Sequence, residues 1–362
     1  MSPTISGVYL VQKFDLTTEQ KNAIDGVLET TKVKQIITIG GFAGTGKSTC
    51  LSELAYKFPK YGIACFTGKA ANVLQKKGLS EAQTIHSMIY NVKQDAKGNP
   101  RFTIKGKYEL PYDGFILDEA SMIGEDLFKD LLYFEIPIIC FGDHGQLEPI
   151  GSKFNLMEKP DFALETIHRN ANNIARFAEY IRNGGKPLNY NNFDEQVQVI
   201  SKSTVTNEIL SEYDQVICGF NKTRMALNNR IRNFHKLSGI IAKDEKIICL
   251  KNNRNLKVFN GMQGVVSKKI KENKIGFLTN NKTLFLEVDT NQFGKEKLVD
   301  YAHDNPELAY FDYAYAITAH KAQGDEFDSI CVFEEQAPKL WNPARWSYTA
   351  ATRAKQKLLW CL

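Results

Sequence analysis

The 362-residue sequence contains no apolar run long enough to cross a membrane, and Met1 to Phe14 lacks the apolar core of a secretory leader. These absences lead us to expect a cytosolic protein, or a nuclear one if the host is a eukaryote. Its seven cysteines include no C-x-x-C pair and its histidines show no metal-ligand spacing, so neither a zinc site nor a disulfide framework is expected. Cys65, Cys140, Cys218, Cys249 and Cys331 each sit inside a short apolar run and read as reduced, buried small hydrophobes. Internal repeats and low-complexity tracts are not evident. Charge of one sign is not in great excess either. A net charge of +5 would suit a polyanion partner without identifying one. Hydrophobic residues at 43% and charged residues at 24% are ordinary for a globular protein, and the length allows two or three domains with cores of their own.

What is present centres on Lys34 to Phe58, KQIITIGGFAGTGKSTCLSELAYKF. Gln35–Ile39 is a β-rich apolar run, Gly41–Ser48 fits G-x-x-x-x-G-K-[ST], and Ser48–Phe58 reads as a helix stopped by Pro59. Strand, glycine-rich turn and helix are the context a phosphate-binding loop requires. Gly41, Gly44 and Gly46 let backbone N–H groups curl around phosphates at a helix N-terminus. Lys47 is placed to reach the β/γ oxygens, and the Ser48 hydroxyl to hold Mg²⁺. Upstream, LTTEQKNAI offers Thr17 or Thr18 as a helix N-cap. The segment is either a simple capped surface helix or one whose Gln20 amide makes paired hydrogen bonds to an adenine edge.

Downstream, Gly62–Phe66 is a second strand, with Thr67 and Gly68 at its C-terminal end, where open parallel sheets bind ligands. Lys69, Lys76 and Lys77 give a basic helix, also readable as a solvated face; His86, in isolation, reads as structural. Two alternating runs between Tyr90 and Tyr112, around a Lys97–Pro100 turn, predict a β-hairpin inserted into the α/β pattern. Gly114–Leu117 resumes the sheet and delivers Asp118 and Glu119, fitted to bind Mg²⁺ and to polarise an attacking water. Ile136–Phe141 ends in GDHGQLEPI, where Gly142, Asp143 and Gln146 face the nucleotide and a glutamine can sense the γ-phosphate without carrying charge. A helix follows with His168 and Arg169 in its first turn, and Gly184–Pro187 opens a linker-like stretch. In the second half Gln215–Phe220 is a strand and Lys222–His235 a helix with Arg224, Arg230 and Arg232 outward. Lys246–Asp289, with short β runs between NN, NG and KEN turns, suggests a small barrel-like insert. Tyr310–Ile317 returns to the α/β pattern and meets THKAQGDEFD. A strand at Ser329–Phe333, a helix at Asn342–Arg353 and a strand at Lys357–Leu362 complete the chain.

GFAGTGKST, FILDEASM, GDHGQL, AYAITAHKAQGDEFD and SYTAATRAK, in this order, make the chain from Leu16 to Leu362 resemble a superfamily 1 helicase of the RecD-like, 5′-to-3′ branch, with the layout of phage Dda-type helicases. The resemblance implies an α/β fold of two RecA-like P-loop NTPase lobes, residues 1–165 and residues 166–240 with 305–362. It also implies a strand-separating hairpin at 90–112 and an SH3-like β-barrel at 241–304. The implied activity is ATP-dependent translocation on single-stranded DNA, 5′ to 3′, with duplex unwinding; ATP and Mg²⁺ are the implied cofactors. Gln20 resembles the adenine-reading glutamine, and Gly41, Ala43, Gly44, Thr45, Gly46, Lys47, Ser48 and Thr49 the phosphate cradle. Ser48 and Asp118 resemble the magnesium ligands, Glu119 the water activator and Gln146 the coupling glutamine. Arg169 and Arg353 resemble the arginines placed on the γ-phosphate, and Gly324 and Glu326 look nucleotide-proximal. Thr67, Lys69, Thr84, His86, Thr318, His320 and Lys321 resemble positions lining a single-strand track, where neutral groups grip phosphates and release them. Phe102 is the candidate wedge, with packing against the hairpin's own base as its alternative. The chain is shorter than a Dda-type helicase by what an accessory extension after the barrel would occupy, which loosens the expected coupling of pin and barrel. Expected partners are single-stranded and fork DNA, with replication or single-strand-binding proteins, for a monomer in the cytoplasm (the host's, if viral) and with no membrane. Two other readings stand beside this one: an RNA-directed helicase of the same superfamily, and a P-loop kinase or nucleotide-gated binding module. The latter leaves GDHGQL, Thr318–Gly324 and Arg353 without a task.

Overall fold

Short apolar strands joined by helices dictate parallel sheets covered on both faces, because a parallel crossover places its helix over the sheet. The computed structural model describes residues 15–94, 100–148, 154–166, 173–190, 194–253, 255–279, 282–299, 305 and 307–362. The chain divides into two compact units, Met1–Ala171 and Asn172–Leu362.

The first unit runs α1 (Thr18–Thr30), β1 (Ile36–Gly41), α2 (Lys47–Lys57), β2 (Tyr61–Cys65), α3 (Gly68–Lys76), β3 (Gln83–Thr84), α4 (Ile85–Ile89), β4 (Tyr90–Gln94), β5 (Pro100–Ile104), β6 (Gly114–Asp118), α5 (Glu125–Leu132), β7 (Ile138–Gly142) and β8 (Phe162–Leu164). Among the described residues, six strands form a parallel sheet in the order β3-β2-β6-β7-β1-β8. One face packs Ile37, Ile39, Ile63, Ile116 and Phe141 against α1, α2 and α3. The other packs Phe115, Leu117, Ile138 and Cys140 against Ile85, Met88 and Leu131. Strands buried on both faces explain why these segments are unbroken apolar runs. β4 and β5 stand apart as an antiparallel pair, registered from Tyr90↔Ile104 to Gln94↔Pro100. Most of the expected turn, Lys97 to Asn99, lies outside the described residues.

The second unit runs α6 (Asn173–Arg182), β9 (Val197–Ile200), α7 (Asn207–Glu212), β10 (Gln215–Cys218), α8 (Asn221–Phe234), β11 (Lys246–Cys249), β12 (Gln263–Lys271), β13 (Lys274–Thr279), β14 (Lys282–Val288), β15 (Leu308–Ala309), β16 (Phe311–Tyr313), β17 (Ala316–Thr318), β18 (Phe327–Phe333), α9 (Pro343–Ala351) and β19 (Ala354–Cys361). Five of its strands form a second parallel sheet, β17-β10-β18-β19-β9. Six others form a mostly antiparallel sheet, β15-β14-β13-β12-β11-β16, around Ile247, Val266, Phe277 and Phe311. The stretch expected to return wholly to the α/β pattern is split: Phe311–Tyr313 pairs with β11, and only Ala316–Thr318 joins β10.

The arginines of α8 do not all point outward. Arg224 is buried, with ion pairing to Asp312 and a hydrogen bond from Nη2 to the Lys295 carbonyl at 2.7 Å. Arg232 pairs with the fully buried Glu245 at 2.8 Å and lies over the Tyr313 ring at 4.0 Å. A buried guanidinium is tolerable only where its charge and fork are matched, and Asp312 and Glu245 supply that. All seven cysteines are buried free thiols, as their apolar flanks require.

Candidate active site

Parallel β1, β6 and β7 are neighbours, so their C-terminal ends emerge at one edge of the sheet and bring three motifs together there. At β1 the chain turns into α2 through Gly44 and Gly46, each at φ 82°, a left-handed conformation that glycine adopts without a Cβ penalty. Gly41 has no room for a side chain, because a Cβ would stand 2.8 Å from Thr45 Oγ1 and 2.9 Å from Lys47 Cγ. Lys47, in the first turn of α2, donates to the carbonyls of Gly41 at 2.7 Å and Phe42 at 2.9 Å, with Asp143 Oδ2 at 4.0 Å. Ser48 and Thr49 follow at the helix start; Thr45 is buried and its hydroxyl donates to Phe42 O at 2.8 Å. Ala43 lies at the half-exposed crest of the loop.

Gln20 braces this loop from α1. Its Oε1 accepts from the Thr17 N–H at 3.0 Å, closing a capping box, and its Nε2 donates to Thr45 O at 3.1 Å. The residue is 2% exposed. The helix is therefore capped by Thr17, with Gln20 closing the cap while its amide nitrogen holds the phosphate loop.

At the end of β6, Asp118 Oδ1 accepts the Glu119 N–H at 2.9 Å. Burial pushes the Asp118 carboxyl above its ordinary pKa, against the opposing pull of that N–H and of the Lys47 ammonium. Glu119 sits at φ 56°, ψ 35°, a conformation costing a non-glycine residue roughly 1–2 kcal/mol. Strain of this kind persists only where the surroundings over-determine it. At the end of β7, Asp143 is buried and gathers the Gly145 N–H at 2.9 Å and Gln146 Nε2 at 3.2 Å. Gln146 Oε1 is buried with no hydrogen-bond partner among the described residues. The sequence reading gave Asp143 no role of its own, although its carboxylate links Gln146 to Lys47; the acid three residues before the glutamine in GDHGQ was the available signal.

Asp118 and Ser48 fit a magnesium ion of the kind that keeps several waters and shares substrate phosphates. One half-buried carboxylate and one hydroxyl are the donor set such an ion would take from this protein. No group of three or more His, Cys, Asp or Glu side chains placed to hold a metal ion occurs among the described residues.

A second set of expected residues collects on the outer strands of the same sheet. Thr67 follows the end of β2 and Thr84 is the last residue of its partner β3, and the Gly68 Cβ position is 3.8 Å from Thr84 Cγ2. Each threonine caps the helix after it: Thr67 accepts from Ala70 N at 3.2 Å and Thr84 from Ser87 N at 3.1 Å. Lys69 lies in the first turn of α3. His86 is half-buried in an aromatic cluster, 6.5 Å from Phe66, 5.6 Å from Tyr90 and 6.4 Å from Phe102 between ring centroids. Phe102 also meets Tyr90 edge-on at 6.0 Å while remaining 44% exposed.

In the second unit Thr318 ends β17 beside Cys218 of β10, and its hydroxyl accepts the Lys321 N–H at 3.3 Å. Burial lowers the pKa of both His320 and Lys321. His320 lies 5.8 Å from the Trp341 ring. Gly324 turns at φ 76°, and Glu326 is exposed. Arg353, just past α9, is 5% exposed and donates to Thr349 O at 3.0 Å, Asp325 O at 3.2 Å and Thr352 Oγ1 at 3.0 Å. Arg169 and His168 lie outside the described residues.

A family model described as an AAA domain matches residues 15–204, and one described as a UvrD-like helicase C-terminal domain matches residues 313–360. The ATP-dependent RecD2 DNA helicase of Deinococcus radiodurans is 25% identical over 375 residues, covering 94% of this chain and 48% of that protein. The chain thus spans about half the length of that curated relative. Bacteroides Pif1 bound to ssDNA matches with a TM-score of 0.62 at 19% identity, covering 96% of this chain and 92% of that one. Bacteroides Pif1 in complex with ADP-AlF3 and ssDNA matches at 0.59 with 18% identity over the same shares. At these identities the structural likeness establishes the fold, an α/β architecture with parallel sheets like those of Pif1.

Proposed function

Because this chain belongs to the AAA-domain superfamily 1 helicases of the RecD-like type, we propose that it hydrolyses ATP to move along single-stranded DNA and to unwind duplex. The observation that carries this reading is the buried Asp143, which holds the Gln146 amide and lies 4.0 Å from Lys47. A phosphate-binding loop alone suits any nucleotide enzyme; a glutamine held beside its lysine and left with a spare acceptor suits one that senses nucleotide state.

In this reading Lys47 leaves its loop carbonyls for the β/γ-phosphates, and Glu119 orients the attacking water. Ser48 and Asp118 hold Mg²⁺, which supplies neutralising charge to the phosphates when bound. Gln20, already in contact with the loop at Thr45, reads the adenine. Arg353, and Arg169 with it, supplies positive charge to the transferring phosphate. Gly324 and Glu326 border the nucleotide. Thr67, Lys69, Thr84, His86, Thr318, His320 and Lys321 contact the strand. ATP and its products differ in affinity for the two states of the protein, and that difference drives movement. The β4–β5 hairpin is the strand-separating pin, with Phe102 its wedge, and the antiparallel sheet is the SH3-like module. The domain limits follow the sequence reading, 1–165, 166–240 with 305–362, and 241–304, except that β15 and β16, Leu308 to Tyr313, belong with the antiparallel sheet. The protein acts as a monomer on fork DNA in the cytoplasm, moving 5′ to 3′, in contact with replication or single-strand-binding proteins.

The deciding experiment measures ATP hydrolysis with single-stranded DNA, with RNA and with neither, then unwinding of duplexes carrying a 5′ or a 3′ overhang. Stimulation by DNA and activity on the 5′ overhang support the proposal. Stimulation by RNA alone moves the substrate to RNA, and no stimulation by either leaves a nucleotide-gated module.

A further inference from the structure

The turn that carries Thr318 to Glu326 is held from outside its own sheet. β12 begins at Gln263, whose backbone pairs with Ile248 of β11 and accepts the Thr279 hydroxyl at 2.8 Å, so the residue is fixed on the antiparallel sheet. Its side chain leaves that sheet, and Nε2 donates to Asp325 Oδ2 at 3.1 Å. Asp325 is buried, its N–H bonded to Ala322 O at 3.0 Å, and its own carbonyl accepts Arg353 Nη1 at 3.2 Å. Lys321 makes a second tie, from Nζ to Asn260 in the loop before β12. Arg353 is also joined to this turn through its carbonyl, which accepts the Phe327 N–H at 2.8 Å.

We propose that Gln263 is a positioning residue for Arg353, acting through Asp325. The inference rests on the role given to Arg353 above. A guanidinium that must meet developing charge gains from being oriented beforehand, and a hydrogen-bonded neighbour is the means of orienting it. Gln263 fixes the Asp325 carboxylate, and with it the backbone carbonyl that one arm of the guanidinium grips. The antiparallel sheet therefore reaches the nucleotide chemistry through one amide.

Gln263→Glu is nearly isosteric but turns the donor into an acceptor facing a carboxylate. It should lower strand-stimulated kcat by about tenfold with KM for ATP unchanged, as a small misplacement far from the chemistry does. Asp325→Asn combined with Gln263→Glu reverses donor and acceptor and restores the bond, so kcat should return to within about twofold of Asp325→Asn alone. A parental kcat in Gln263→Glu overturns the proposal, as does a loss that persists in the pair with an equal fall in Tm. Hydrogen exchange at the Phe327 amide gives a reading independent of activity. Gln263→Glu should speed it by at least about threefold, since opening there is local, and unchanged exchange overturns the link. If the parent shows no strand-stimulated hydrolysis, the functional reading fails while the exchange measurement still decides the Gln263 contact.

Discussion

The Lys47 ammonium lies 2.7 Å from the carbonyl oxygen of Gly41, so the lysine of the phosphate loop is held by the loop it serves. Phosphate oxygens must replace that carbonyl and the Phe42 carbonyl as its acceptors. The exchange is favourable because a phosphate oxygen carries formal negative charge where a carbonyl oxygen carries only a partial one, so the ammonium gains an ion pair in place of an ion–dipole contact. Lys47→Ala should therefore abolish ATP turnover and leave the circular-dichroism melt intact. Glu119→Gln should keep ATP affinity and lose about a hundredfold or more in turnover, and a rate within about threefold of the parent would remove Glu119 from its role.

Arg353 spends its donors on Thr349 O, Asp325 O and Thr352 Oγ1, a fork geometry that lysine cannot reproduce. Arg353→Ala should cut strand-stimulated turnover by at least about a hundredfold, the scale of a lost arginine finger. Arg353→Lys should recover little of it. Binding of a labelled single strand without nucleotide should be nearly unchanged. Lost strand binding with retained basal hydrolysis would instead assign Arg353 to the nucleic-acid track.

The parts of this site that were legible in sequence are those imposed by backbone geometry. A loop that needs φ 82° at Gly44 and Gly46 advertises itself as glycine. An acidic pair at the end of an apolar strand marks the sheet edge where it emerges. What could not be read depends on partners far along the chain. Arg224 lies on an amphipathic helix, and nothing local says that its partner is Asp312, 88 residues away. Phe311–Tyr313 has the same alternation whether it joins the parallel or the antiparallel sheet, so its place was misassigned. The left-handed backbone of Glu119 has no residue-type signature at all. Thr67, Thr84 and Thr318 differ again. All three accept an N–H three residues onward, a local pattern within reach of the sequence alone.

His320 gives a pH signature. Burial lowers its pKa, so the folded protein holds the imidazole neutral through a range in which the unfolded chain is already protonated. Its contribution to stability is present above the unfolded pKa and is lost as pH falls through the folded one. A phosphate arriving beside it reverses the shift, and strand binding then takes up a proton. Single-strand affinity without nucleotide should rise as pH falls from about 7.5 to about 5.5, the range that brackets the ordinary histidine value. His320→Gln should rise less. Equal slopes in parent and variant would take His320 off the track.

The hairpin is where packing and function compete most directly. Phe102 meets Tyr90 and His86 edge-on, and the Tyr90 hydroxyl is tied to Asp130 on α5, so the ring stands on an anchored base. Edge-on packing accounts for part of the ring, yet Phe102 stays 44% exposed, which leaves surface for a nucleobase to stack on. A hairpin splits a duplex only if it blocks one strand while the motor pulls the other. Each step then exchanges base stacking, about 1.4 kcal/mol per base pair, for translocation work drawn from ATP. Phe102→Ala, or shortening Asp95–Arg101 to a two-residue turn, should therefore separate the two activities. Strand-stimulated ATP hydrolysis should persist, and duplex unwinding should fall by at least about tenfold, equivalent to about 1.4 kcal/mol on the barrier. Phe102→Leu tells stacking from support, because leucine fills the contact with Tyr90 without offering an aromatic face. It should unwind as poorly as the alanine variant if Phe102 stacks on a base, and near the parental rate if the ring only props the hairpin. Both rates measured on one preparation decide it: equal losses make the hairpin structural, and no loss in either places strand separation elsewhere in the molecule.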